Sequence, residues 1–99
     1  MSLLHPKATA SVLEDVREER GAQDNRWGQQ DHTPARWLIR IVAAFSAAAR
    51  AGLELDVRPG ISTDDLRREL IQVAAVAVAW VEAIDRAAAD SRDTGKGEA

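Results

Sequence analysis

Leu70-Ile71-Gln72-Val73-Ala74-Ala75-Val76-Ala77-Val78-Ala79-Trp80-Val81-Glu82-Ala83-Ile84 is the stretch that decides the fold, because only Gln72 and Glu82 interrupt its apolar character. Its alanines favour helix, and it carries none of the turn residues that bound short strands. On a helical wheel its large apolar side chains cover an arc of about 220°, wider than one partner helix buries. Burial of a Val, Leu or Ile side chain is worth about 1.5–3 kcal/mol, so leaving several in water forfeits roughly 5–10 kcal/mol. A chain of 99 residues has little else with which to cover that arc. The expectation is therefore an all-α fold of three main helices per chain, a helical bundle completed by dimerisation.

Upstream of this stretch, Ser62 or Thr63 caps the helix, with Asp64 and Asp65 in its first turn, where carboxylates complement the helix dipole. Ile61 and Leu66 stand at hydrophobic-staple spacing. The helix is expected to end near Ala89, with residues 90–99 disordered because no large apolar residue follows. A second helix starts at Thr33-Pro34, an N-cap followed by proline at the first helical position, and is expected to stop at Gly52. Its apolar side holds Trp37, Leu38, Ile39, Ile41, Val42 and Phe45, and an alanine stripe between arginines runs opposite. Arg58-Pro59-Gly60 marks a turn before the third helix. The first helix is expected to open at the capping box Ser11–Glu14, to turn Val12, Leu13 and Val16 inward, and to fray near Gly21 to Asn25. Residues 1–10 read as a loose N-terminus, so one domain spans residues 11–89.

Composition narrows function mostly by exclusion. Lys and Arg number 13 against 16 Asp and Glu, a net charge of −3 that lacks the basic excess of a nucleic-acid binder. Zero cysteines exclude disulfide frameworks and thiolate metal sites. No long uncharged apolar run and no secretory leader is read, which gives the expectation of a cytoplasmic protein away from membranes. His32 has no second His or Cys at ligand spacing, and His5 lies in the N-terminal segment, so no metal site is expected. The Glu14, Asp15, Glu18 and Glu19 set, interspersed with Arg17 and Arg20, reads as a solvated helix face.

Glu69 is the most informative single position. It falls inside the apolar arc near Val73, Val76 and Trp80, where a carboxylate needs a cation, several donors or a metal. A buried pair with Arg36 or Arg40 is the favoured reading, and a ligand-site carboxylate is the other. Gln72 lies in the same stretch. Trp37 and Trp80 read as core. Trp27, in a polar loop, stays open between a stacking platform and plain packing.

The order of these features resembles MazG-like proteins, a group of all-α nucleoside triphosphate pyrophosphohydrolases. The resemblance is carried by Glu18-Glu19-Arg20, Gln23, Trp27-Gly28-Gln29-Gln30-Asp31-His32, Arg36-Trp37-Leu38 and the run from Leu66 to Trp80, and it spans about residues 14–86. It implies helical dimers or tetramers that cleave a nucleoside triphosphate to monophosphate and pyrophosphate. It also implies magnesium held by an E-E-x-x-E run on one helix and an E-x-x-D pair on a later one. Carboxylates at such spacings share a helix face and converge on hard cations that neutralise the triphosphate.

This chain departs from that pattern at the decisive positions. With Trp37-Leu38 as the anchor, the E-E-x-x-E run falls on Ala43-Ala44-Phe45-Ser46-Ala47, so all three carboxylates are alanines. Of the later pair Glu69 remains, and Gln72 replaces the aspartate. Glu82 and Asp85 repeat the E-x-x-D spacing but begin about 20 Å further along the helix.

The resemblance therefore implies a catalytically degenerate, MazG-like pseudoenzyme, a homodimer or higher homo-oligomer that binds a nucleotide or a protein. The alternative is an active magnesium-dependent pyrophosphohydrolase with displaced ligands, and a third reading is a structural partner-binding module. The candidate ligand-binding residues are Trp27, Gln30, His32, Arg36, Glu69 and Gln72. Arg40 reads as a phosphate contact or as plain surface. No catalytic residue is assigned and no cofactor is expected; magnesium enters only under the alternative.

Overall fold

Two strong starts and one proline-led start set the helices. In the structure, a computed structural model that describes residues 6–98, α1 is Pro6–Trp27, α2 is Pro34–Val57 and α3 is Asp64–Glu98. No strand occurs among the described residues. At the head of α2 the Thr33 hydroxyl accepts from the Arg36 N–H at 3.3 Å, and Pro34 opens the first turn. At the head of α3 the Ser62 hydroxyl accepts from the Asp64 N–H at 3.0 Å.

The helix ends differ from expectation, each for a local reason. Helix α1 opens at Pro6 rather than at Ser11, because proline fits the first helical position without losing a bond and nothing after it stops the helix. Ser11 and Glu14 are thus interior, and the capping box does not form. Residues 1–5 of the expected loose terminus lie outside the described residues. The expected fraying at Gly21 is also absent: the Arg20–Asp24 and Arg26–Glu19 ion pairs carry the helix across it. Helix α2 passes through Gly52, which is half-buried beside Leu66, and ends only at Val57. There Pro59 disfavours helical geometry at Arg58, and Gly60 takes a φ of +101°. Helix α3 runs past Ala89 to Glu98, so residues 90–98, expected without structure, continue it; adding residues to an existing helix costs far less than starting one.

Helix α3 is central, and α1 and α2 each pack on it rather than on each other. The partners Asp15 with Arg67, Arg20 with Glu82 and Asp31 with Arg86 ascend together, so α1 runs parallel to α3. Trp37 meets Trp80 while Gly52 meets Leu66, so α2 runs antiparallel. The core is Trp37, at 2% exposure, against Val76 and Ala79, with Ile41, Ala44, Trp80 and Ala83 around it. Trp37 and Trp80 lie nearly parallel with centroids 6.1 Å apart. On α1 only Val16 is buried among the apolar residues expected inward; Val12 and Leu13 are exposed.

The apolar arc of α3 is only partly covered. Leu70, Val81 and Ile84 remain exposed, as do Leu38, Val42, Phe45 and Leu53 on one stripe of α2. The molecule measures 63 × 34 × 25 Å with a radius of gyration of 17.3 Å, against about 13 Å for a compact 100-residue domain. No described helix is long and apolar enough to cross a membrane.

Candidate functional site

The α1–α2 connection is short and turns on Gly28, whose φ of +70° lets its N–H close back on the Asp24 carbonyl at 2.7 Å. Helix α3 fastens this loop through Arg86, which donates to Asp31 Oδ1 at 2.8 Å and to the Gln30 carbonyl at 3.1 Å. Asp31 also accepts from Gln29 at 2.7 Å, and these two hydrogen bonds, with the Arg86 charge, hold its carboxyl below the usual range. Trp27, expected in a polar loop, is instead the last residue of α1, and the fixed loop after it places His32 just ahead of α2.

Trp27 stands at the mouth of a cleft of about 320 Å³ between α1 and α2, floored by Gln72 and Val76 of α3. The tryptophan is 48% exposed, and the guanidinium carbons of Arg26 and Arg40 each lie 4.6 Å from its ring centroid. Both cations take up π-surface of the ring, and the indole is otherwise part of the cleft lining. The α2 wall is Ile39, Arg40, Ala43 and Ala44. Glu19 is the single carboxylate lining it, and it is already engaged by Arg26 at 3.2 Å and by the buried Gln23 at 3.4 Å.

A second recess of about 250 Å³ adjoins the first and shares Ile39 and Arg40 with it. Its other walls are His32 and Arg36. The His32 ring packs edge-on against Trp37, centroids 4.9 Å apart, and its Nε2 lies 3.3 Å from Gln30 Oε1. Desolvation lowers the His32 pKa below its ordinary 6.5, and the Arg40 and Arg36 charges lower it further, against a smaller pull from Asp31.

The six candidate residues fall in four separate places. Trp27 and Gln72 share the cleft, and His32 and Arg36 share the adjoining recess. Gln30 is buried behind the loop, in a polar pocket where Arg20 pairs with Asp24 and Glu82 and Arg86 pairs with Asp31; its groups are mutually satisfied and serve to hold the loop. Glu69 is half-buried and lines neither recess. The expected Glu69–Arg36 or Glu69–Arg40 pair does not form: among the described residues no carboxylate lies within ion-pair distance of either arginine. Arg40 turns instead toward the Trp27 ring. Arg26, Gln23 and Glu19 also line the cleft although none was a candidate ligand residue. Glu19 and Gln23 stand among the residues that carry the resemblance, and the adjacency of Arg26 to Trp27 was the local signal for Arg26.

Chemically, the surface combines a π-face, guanidinium donors and an apolar floor. Among the described residues no three His, Asp or Glu side chains gather in a metal-holding group. Comparisons with known protein families, with curated proteins and with solved structures each return no match. The class of protein is thus set by the fold and cleft alone: an all-helical, three-helix chain with an aromatic and cationic recess.

Proposed function

We propose that this chain is a catalytically degenerate MazG-like protein, a homodimer that binds a nucleotide without hydrolysing it. The supporting observation is the composition of the cleft. Ala43, Ala44 and Gln72, which stand where the resemblance would place three of the metal-binding carboxylates, lie together on its walls beside the exposed Trp27. The aromatic surface suits a base, and the arginines suit phosphate. Hydrolysis of a triphosphate by this class of mechanism needs carboxylates to hold magnesium. The one acid lining this cleft is committed to Arg26 and Gln23.

The dimer is supported by surface area. The chain exposes 7275 Å², whereas a compact monomer of this mass exposes roughly 5,500 Å². The excess is of the order that obligate dimers bury per subunit. At about 100° per residue, Leu38, Val42, Phe45 and Leu53 lie on the side of α2 opposite to Arg40 and Ala43, so this stripe faces away from the cleft. A symmetric partner seated on it, and on Leu70, Val81 and Ile84 of α3, leaves the cleft open.

The test combines two assays on the purified full chain. Isothermal calorimetry against ribo- and deoxynucleotides is expected to show binding heat for at least one of them. Pyrophosphate release with magnesium or manganese is expected to stay at the buffer level. Turnover abolished by EDTA would overturn the degenerate reading, and absence of heat across the panel would overturn nucleotide binding.

A further inference from the structure

Arginine pairing in this molecule is uneven. Seven arginines each hold a carboxylate within 4.0 Å. Arg36 and Arg40, like the exposed Arg50 and Arg92, hold none among the described residues although the chain carries a net charge of −3, and only the first two share a recess. They are one turn apart on α2, where like charges cost a few tenths of a kcal/mol. Arg36 also stands in the first turn, where the helix dipole disfavours a cation. His32 adds a third nitrogen-bearing side chain to the same recess of about 250 Å³. The fixed loop and the edge contact with Trp37 hold that ring in place. Three such groups converge on one concavity that no acid lines, and the nearby Asp31 is held by Arg86, so the site is short of negative charge.

We propose that His32, Arg36 and Arg40 form a phosphate site that works without a divalent cation, in which guanidinium groups supply the positive charge. The ligand class is a phosphate or diphosphate group. Guanidinium forks bind its oxygens through paired N–H donors, and neighbouring arginines one turn apart match two linked phosphoryl groups. Arg40 borders both recesses, so a phosphate held here places an attached planar group beside Trp27. The inference deepens the nucleotide reading and takes from it only the base; the phosphate site stands on its own side chains.

The experiment is calorimetric titration of the full chain with inorganic pyrophosphate, and separately with a nucleoside diphosphate, both in EDTA at low salt. Pyrophosphate is expected to bind, and affinity should fall steeply as salt rises. Arg36→Gln and Arg40→Gln are each expected to weaken it by about tenfold or more, the worth of a charged hydrogen bond. Arg50→Gln, which removes an exposed cation of α2 outside both recesses, is expected to leave it unchanged. Circular dichroism confirms that each variant keeps its helices, and Arg40→Lys retains charge if the glutamine variant does not fold. Pyrophosphate binding that requires magnesium, or that Arg50→Gln weakens equally, overturns the phosphate site. Nucleoside diphosphate binding that quenches tryptophan fluorescence while pyrophosphate gives no heat also overturns it, and leaves the nucleotide reading standing. Silence from both ligands overturns both.

Discussion

His32 concentrates the electrostatics of the recess in one titratable group. Desolvation and the charges of Arg40 and Arg36 all disfavour its protonated form, while Asp31 favours it less strongly. Its midpoint, followed by the NMR shift of the ring protons, is therefore expected below 6.5 and should rise in Arg40→Gln. That rise will be partial, because desolvation, the largest cause, survives the substitution. The sign for stability follows by linkage. With the folded pKa depressed, the unfolded chain binds more protons as pH falls through about 6.5, so this group stabilises the fold above that pH and withdraws the contribution below it. A phosphate bound beside the ring favours the imidazolium, and saturating pyrophosphate should move the midpoint upward. An unmoved midpoint under saturation would place the anion elsewhere.

At the scale of the elements, glycine separates what the sequence discloses from what the fold decides. Thr33-Pro34 and the Ser62 to Asp65 stretch are true starts because their signals are local: a hydroxyl, a proline and two carboxylates act within one turn. The ends were poorly legible. Gly52 looks like a stop, yet it lies inside α2, and the real stop is the Arg58-Pro59-Gly60 turn six residues on. Gly21 lies inside α1 with open space where a methyl group would stand, whereas Gly28 has a φ of +70°. Gly21→Ala is thus expected to stabilise the fold by about 0.4–1 kcal/mol. Gly28→Ala should cost about 1–2 kcal/mol, because an L side chain resists the left-handed region. Chemical denaturation monitored by circular dichroism checks both, and effects of equal sign would contradict the helix assignment at Gly21. The site divides in the same way. Trp27 and Gln72 were visible as an odd aromatic in a polar loop and an odd amide in an apolar run. The meeting of Arg40 with Trp27 was not, since a wheel gives the face of a residue and says nothing of its partner on another helix. Glu69 failed for that reason: its burial was legible, and the arginines assigned to it point elsewhere.

At the scale of the whole molecule, the exposed apolar surface is the largest unsatisfied quantity. Phe45 is 62% exposed and shares its stripe with Leu38, Val42 and Leu53, while Val81 and Ile84 leave a second stripe open on α3. Contiguous apolar surface on this scale marks an interaction site more often than a free monomer face. The expected sedimentation mass at micromolar concentration is twice the 10.8 kDa of one chain. Phe45→Glu sharpens the test. In a monomer this exposed position tolerates a carboxylate at little cost, and helicity and mass both stay as they were. In the dimer it forces a charge into the buried centre of an interface, where desolvation is penalised by several kcal/mol across the two copies. The variant is therefore expected to sediment as a monomer with lowered thermal stability. Since Phe45 faces away from Arg40 and Ala43, its phosphate binding should outlast dissociation as long as the fold holds. A wild-type chain that sediments at 10.8 kDa would refute the dimer. A variant that dissociates and loses pyrophosphate binding while still helical would show instead that the partner helps shape the recess, and that the cleft of one chain is half of the site.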